Sequence, residues 1–381
     1  LTEALPELPA RAGRQSWRDR WRTFRNACVA SPVFQRRAAL FPLTRPTSLR
    51  RARDLFDLCA GFVYSQVLFA CVRLDLFETL RAGPLEPGAL AARIGLAPDA
   101  AERLLRAAAS LRLTEARDDG RWGLGDLGAA MLGARGVAEM VEHHATLYAD
   151  LADPVALLRR RGGRIGDYWS YAAQDAPGAL DAARVADYSA LMAASQAMFA
   201  EDVIAAYPLA RHRRLLDIGG GEGQFIRAVA RQAPRLELGV FDLPAVAERA
   251  RARIAADGLG ARAQAFGGDF FADPLPEGFD LISLIRVCFD HDDAPLLRLL
   301  RRVHAALAAD GAMLVAETMA GTRGAEPVGD AYFGFYLLAM GSGRPRRADE
   351  LSSLLGQAGF TRVREARTAR PMLARVLIAR P

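Results

Sequence analysis

Leu215-Leu216-Asp217-Ile218-Gly219-Gly220-Gly221-Glu222-Gly223-Gln224-Phe225 is the stretch whose reading decides the fold. A short apolar run carrying an acid enters a glycine-rich turn, and Phe225-Ile226-Arg227-Ala228-Val229-Ala230 then starts a helix. Glycines permit positive φ and let a ligand lie against bare backbone. The helix N-terminus behind them offers unpaired N–H groups, suited to a phosphate or to a flat nucleoside that needs close approach.

Three further apolar runs follow. Leu238-Gly239-Val240-Phe241-Asp242-Leu243 ends in an acid about 20 residues past the glycines, where a doubly wound sheet places a ribose-binding carboxylate. Phe266-Gly267-Gly268-Asp269-Phe270-Phe271 sets Asp269 beside two aromatic rings, a pairing suited to adenine. Phe279-Asp280-Leu281-Ile282-Ser283-Leu284-Ile285-Arg286-Val287 reads as the next strand. A dinucleotide reader would show G-x-G-x-x-G; here the glycines stand at 219, 221 and 223 after an acid. With Asp242 and Asp269 this series resembles the class I S-adenosylmethionine-dependent methyltransferases. The resemblance implies a Rossmann-like doubly wound α/β sheet and S-adenosyl-L-methionine as cofactor. The expected cofactor set is Gly219, Gly221, Asp242, Leu243, Asp269, Phe270, Arg286 and Ser195.

The 381 residues suffice for two domains, and 51% apolar with 25% charged residues is ordinary for a globular protein. All 50 basic residues are arginine. The net charge of +6 is uneven: residues 1–51 hold eleven arginines against Glu3, Glu7 and Asp19. Cys28, Cys59, Cys71 and Cys288 have no metal-ligand spacing and read as reduced thiols, and no metal is expected. Residues 1–51 lack the apolar core and cleavage site of a secretory leader, so a cytoplasmic location is expected. The apolar run Leu55 to Val72 contains Asp57, Ser65 and Gln66 and barely reaches spanning length, so a buried helix is expected there.

Four regions follow in order. Residues 1–51 form a basic leader in which Trp17, Trp21 and Phe24 recur at helical spacing among Arg18, Arg22 and Arg25. Such a helix suits peripheral adhesion to a membrane, or packs its tryptophans on the body. Residues 52–145 read as a long helix from Arg53 to Arg73, a second closing at Leu76–Leu80, helices over Pro87–Gly95 and from Asp99 to about Leu111, and a hairpin around Asp118-Asp119-Gly120; the last two helices and the hairpin make a winged-helix pattern, and the N-terminal domain is expected to be an all-helical winged-helix dimerisation domain. Its second helix carries Asp99, Glu102, Arg103 and Arg106, a neutral set that fits a dimer interface better than nucleic acid. Residues 146–210 form a helical linker and pocket region, with the aromatic group Asp167-Tyr168-Trp169-Ser170-Tyr171 and a helix from Asp187 to Tyr207 bearing Met192, Ser195 and Phe199. Residues 211–381 form the cofactor-binding domain, with a fifth strand ending at Glu317, an aromatic helix over Ala331–Met340, a last helix from Asp349, and a C-terminal antiparallel hairpin.

A winged-helix dimerisation domain before this cofactor domain resembles the plant-type small-molecule O-methyltransferases, implying a homodimer acting on a small hydrophobic substrate. That family places a general-base histidine after the fourth strand. The matching segment here is Cys288-Phe289-Asp290-His291-Asp292-Asp293, and the base position falls on Phe289. A family lysine falls on Ile285; of the two family acids that flank the histidine, one falls on Glu317 and the other on Pro345. His291, with Asp290 and Glu317, is one candidate catalytic group; His143 and His144 are another; proton loss to solvent is a third. The leader ending Ser31-Pro32-Val33-Phe34-Gln35-Arg36, the run Ala60–Gln66, the segment Tyr148–Leu158 and Arg286–Asp293 together resemble the acyclic carotenoid 1-O-methyltransferases of purple photosynthetic bacteria. This resemblance implies methylation of the tertiary 1-hydroxyl of hydroxyneurosporene and demethylspheroidene. Met192, Phe199, Phe289, Tyr332, Phe333, Tyr336 and Met340 would then wall an apolar tunnel for the polyene, and the lipid-dissolved substrate favours membrane contact by the leader. The competing readings are a methyltransferase of a bacteriochlorophyll or polyketide intermediate, a winged-helix regulator that senses S-adenosylmethionine, and a binder that has lost transfer.

Overall fold

The computed structural model describes residues 16–134, 136–168, 196 and 199–381. Two units separate, residues 1–70 and 71–381. In the first, Ser16 caps the helix Trp17–Ala30 by accepting the Asp19 N–H, and Ser31 caps Pro32–Leu40 with proline at the first turn. The long helix Arg45–Arg73 runs out of this unit. Sequence reasoning expects its apolar run to be buried, and the structure corrects this. Leu58 is 82% and Phe62 72% exposed, and Cys71 is the one buried residue of the helix. An exposed apolar helix face of this size marks an interaction surface.

The second unit begins with the helices Leu76–Thr79, Pro87–Arg93 and Pro98–Ser110. Leu76, Leu80, Leu90 and Leu105 are fully buried among them. The region is not all-helical: strands β1 (Thr114–Ala116) and β2 (Trp122–Leu124) pair antiparallel, and Leu85 bridges to Trp122. This hairpin is the wing. Helices Asp126–Gly133, Val137–Asp150, Pro154–Arg160 and Arg164–Tyr168 follow. Of the helix expected from Asp187, only residues 196 and 199–206 are described, so Met192 and Ser195 lie outside the described residues, as do Trp169, Ser170 and Tyr171.

The catalytic sheet comprises β3 (Arg214–Ile218), β4 (Glu237–Asp242), β5 (Ala263–Gly267), β6 (Phe279–Ile285), β7 (Leu307–Glu317), β8 (Arg362–Ala366) and β9 (Arg375–Arg380). Their order is β5-β4-β3-β6-β7-β9-β8. The first five are parallel, and β9 and β8 close the edge antiparallel, joined by a short loop in place of a crossover helix. Alternate residues face opposite layers. Leu215, Val240, Leu281 and Leu314 pack with the helices Gln224–Gln232 and Pro244–Ala256, whereas Leu216, Phe241, Ile282 and Met313 pack with Asp293–Ala306 and Ala348–Ala358. Both faces are covered, which is why these strands read as continuous apolar runs. The strand order reverses at β3, between β4 and β6, and in open sheets a ligand crevice lies outside the carboxyl ends at such a point.

Candidate active site

The glycine turn lies at that reversal point. Gly219, Gly221 and Gly223 have φ of +69°, +59° and +78°. A side chain at Gly219 would meet Val287 Cγ2 at 2.7 Å, and one at Gly220 would meet Asp217 Oδ2 at 2.5 Å. A side chain at Gly221 would meet none of the described residues within 4 Å, so the backbone there is bare on that side. Asp217 is fully buried; its Oδ1 accepts from the Ser283 hydroxyl at 2.6 Å on the neighbouring strand. Burial, opposed by that bond, pushes its carboxyl up to about 7. It braces the floor of the turn.

Asp242 ends β4 and reaches across to the turn. Its Oδ2 accepts the Gly221 N–H at 2.8 Å and its Oδ1 accepts the Leu243 N–H at 2.8 Å. Burial raises it to about 6 against those two bonds. Each oxygen keeps a second lone pair, so a pair of vicinal hydroxyls finds two acceptors beside bare backbone. Asp269 accepts the Phe271 N–H at 2.8 Å, and the Phe270 ring comes within 3.8 Å of a side chain placed at Gly219. The turn, two carboxylates and flat ring therefore fit an adenosine group. Arg286 ends the set: its φ is +59°, and its guanidinium lies 4.9 Å from the centre of the Phe199 ring.

The loop after β6 is held from below. Glu317, fully buried at the end of β7, accepts the Phe289 N–H on Oε2 at 3.0 Å, and burial pushes it up to about 7. Arg346, fully buried, donates to Cys288 O at 2.8 Å, His291 O at 2.6 Å and Asp293 Oδ1 at 2.8 Å. Asp290 is buried and pushed well above the carboxylate range by desolvation. His291 stands edge-on to Phe270 and Phe271, at 5.6 and 5.0 Å, and burial lowers it to about 4. His291 thus sits with the rings of the adenosine side. Phe289, two places earlier, faces Phe333 at 5.6 Å in a different cluster.

That cluster joins Phe289, Tyr336, Leu337 and Met340 to Leu147, Leu157 and Ile165, with Tyr332 and Phe333 packed against it. Five of the expected acceptor residues therefore meet, while Phe199 belongs to the core shared with the helices Gln224–Gln232 and Pro244–Ala256. Two polar pairs enter the cluster: His143 Nε2 to Tyr336 Oη at 3.0 Å, and His144 Nε2 to Tyr332 Oη at 2.7 Å. Burial lowers both histidines, His143 to about 4, and raises Tyr332. Sequence reasoning missed Arg346 and Tyr148, whose ring lies 6.0 Å from His144. Neither stands in a local pattern; the Asp217–Ser283 pair could have been found from strand register.

The chain matches two family profiles: the O-methyltransferase dimerisation domain over residues 56–134 and the O-methyltransferase domain over residues 148–361. It is 44% identical to the demethylspheroidene O-methyltransferase of Cereibacter sphaeroides, covering 92% of this chain and 93% of that one. Identity to the enzyme of that name from Rhodobacter capsulatus is 40%, covering 91% and 86%. A mitomycin 7-O-methyltransferase structure superposes with a TM-score of 0.71 at 26% identity, covering 88% of this chain and 100% of that one. The human N-acetylserotonin methyltransferase in complex with SAM gives 0.72 at 24% identity, covering 87% and 97%, a likeness of fold.

Asp242→Ala should weaken binding of an adenosyl ligand about 100-fold by calorimetry, since bonds to a charged group contribute ~1.5–3 kcal/mol. Glu317, raised above its ordinary value, favours the fold at low pH, and that contribution is lost as pH rises through about 7. The melting temperature of the wild type should therefore fall more steeply over that window than that of Glu317→Gln.

Proposed function

The chain belongs to the plant-type O-methyltransferase family and is an S-adenosylmethionine-dependent methyltransferase; from that premise we propose that its acceptor is the tertiary hydroxyl of an acyclic carotenoid. The bound cofactor supplies an electrophilic methyl group. Gly219, Gly221, Asp242, Asp269 and Phe270 would hold its adenosine, with Arg286 at the lip of the crevice and Ser195 as a further proposed contact. The protein's task is to align the acceptor oxygen and exclude water, and the entropy saved by alignment is large.

The observation that carries the acceptor reading is the burial of Phe289 in an aromatic cluster with Tyr332, Phe333, Tyr336 and Met340. A phenol-methylating enzyme needs a base at that place; a phenylalanine contributes wall. A polyene end needs apolar lining, which a buried phenylalanine supplies at that place. The two relatives named for demethylspheroidene support the same class. Met192 and Phe199 remain proposed lining residues. The family's dimerisation domain, matched over residues 56–134, includes Leu58 and Phe62 and supports a homodimer, which would cover them.

The leader extends the reading to a lipid-borne substrate. Trp17, Trp21 and Phe24 are exposed on a helix with no buried residue, interleaved with Arg18, Arg22 and Arg25. That combination fits a cytoplasmic protein that rests on an anionic membrane surface.

Co-expression with a pathway that makes hydroxylated acyclic carotenoids should add one methyl group per hydroxyl, read by mass of extracted pigment. Unchanged pigment, with ready methylation of a phenol, overturns the acceptor. Trp17→Ala combined with Trp21→Ala should lower co-sedimentation with anionic vesicles several-fold; if the unsubstituted chain itself stays in the supernatant, the surface role is refuted.

A further inference from the structure

The loss of a base at Phe289 leaves the acceptor's proton without a destination on the strand side. Across the cluster, the chain supplies one. Tyr332 and Tyr336 lie one helical turn apart, their rings stacked at 6.0 Å, and each hydroxyl meets a different histidine of the helix Val137–Asp150. Tyr332 stands on the π-helical turn Pro327–Phe333, which passes into the α-helix Gly334–Met340. Such widened turns recur at functional sites because they aim a side chain off the regular helical face. Tyr332 contacts Phe333 at 5.0 Å, and Phe333 contacts Phe289 at 5.6 Å, so its hydroxyl belongs to the same lining as the wall that replaces the base. It also lies within electrostatic range of Arg286, at the lip of the cofactor crevice.

We propose that Tyr332 and His144 form the proton route for the acceptor hydroxyl, with Tyr336 and His143 as positioning residues. This rests on the acceptor reading above. The acceptor O–H donates to Tyr332 Oη, and Tyr332 O–H donates to His144 Nε2 at 2.7 Å. In the transfer the acceptor oxygen gains the methyl group, and the carbon–sulfur electron pair stays with the sulfur. The acceptor's O–H bond breaks, its proton passes to Tyr332, and the tyrosyl proton passes to Nε2, so Tyr332 ends as it began. The imidazolium then loses its proton to solvent from a half-buried position. Burial keeps both histidines neutral at ordinary pH, the form able to accept. The two stacked tyrosines and adjacent histidines hold one another in place, as buried polar networks do when satisfied.

The test uses the full chain with a hydroxylated acyclic carotenoid in detergent micelles. Tyr332→Phe keeps the ring and removes the hydroxyl. His144→Gln retains an acceptor for the Tyr332 hydroxyl but cannot take its proton. Each should lower kcat about 100-fold, the scale of general-base catalysis, with cofactor Kd and acceptor KM within about threefold of wild type. The double variant should be no worse than either single, as for groups acting as one unit. Wild-type kcat in either single variant, or losses that multiply in the double, overturns the route. If Tyr332→Phe loses cofactor binding, His144→Gln alone decides by the same criterion. A wild type that binds cofactor but leaves the carotenoid unchanged overturns the acceptor reading and this route with it; an active wild type with an equally active Tyr332→Phe overturns the route alone.

Discussion

One contact between neighbouring strands organises the catalytic domain: the Asp242 carboxylate at the end of β4 accepts the Gly221 N–H of the turn after β3. It fixes the turn in a shape that only glycine adopts at low cost, with φ positive at every second residue from 219 to 223. It also aims the carboxylate into the crevice. Asp217 and Ser283 lock the floor beneath it through adjacent strands. A bare backbone and two open acceptor positions result, which is what an adenosine group requires.

The same device recurs one strand over with a different purpose. Glu317 takes the Phe289 N–H, and Arg346 takes the carbonyls of Cys288 and His291, so the loop after β6 is held by fully buried ionisable groups. Burying a carboxyl and a guanidinium is costly unless each is hydrogen-bonded. The loop offers the backbone partners that make both tolerable, and in exchange its conformation is specified. Phe289 is thereby directed into the aromatic cluster around Phe333 and His291 onto the rings of Phe270 and Phe271. Two residues apart in the chain, they pack in different clusters.

The apolar residues follow two regimes. Within the sheet they are buried on both faces, and the core is closed by helices of the same chain. On the helices Trp17–Ala30 and Arg45–Arg73 they stay exposed, in a density that one chain leaves uncovered. The first group makes the scaffold of the sheet, and the second stays exposed among the described residues.

The glycine spacing, the acids ending successive runs and the hairpin punctuation are short-range patterns, so the parallel strands, the glycine turn, the wing and the C-terminal hairpin were all readable in the residues. Partners across distant segments were not. Arg346 meets Cys288 and Asp293 through a fold, not through spacing, and the same holds for His143 and His144 with Tyr336 and Tyr332. Burial of the Arg45–Arg73 helix was misjudged because hydropathy reports that a face wants cover, and packing alone reports whether its own chain provides it. Local pattern is a property of neighbours along the backbone; which side chain completes a buried hydrogen bond depends on chain segments brought together only when the sheet and its covering helices have closed.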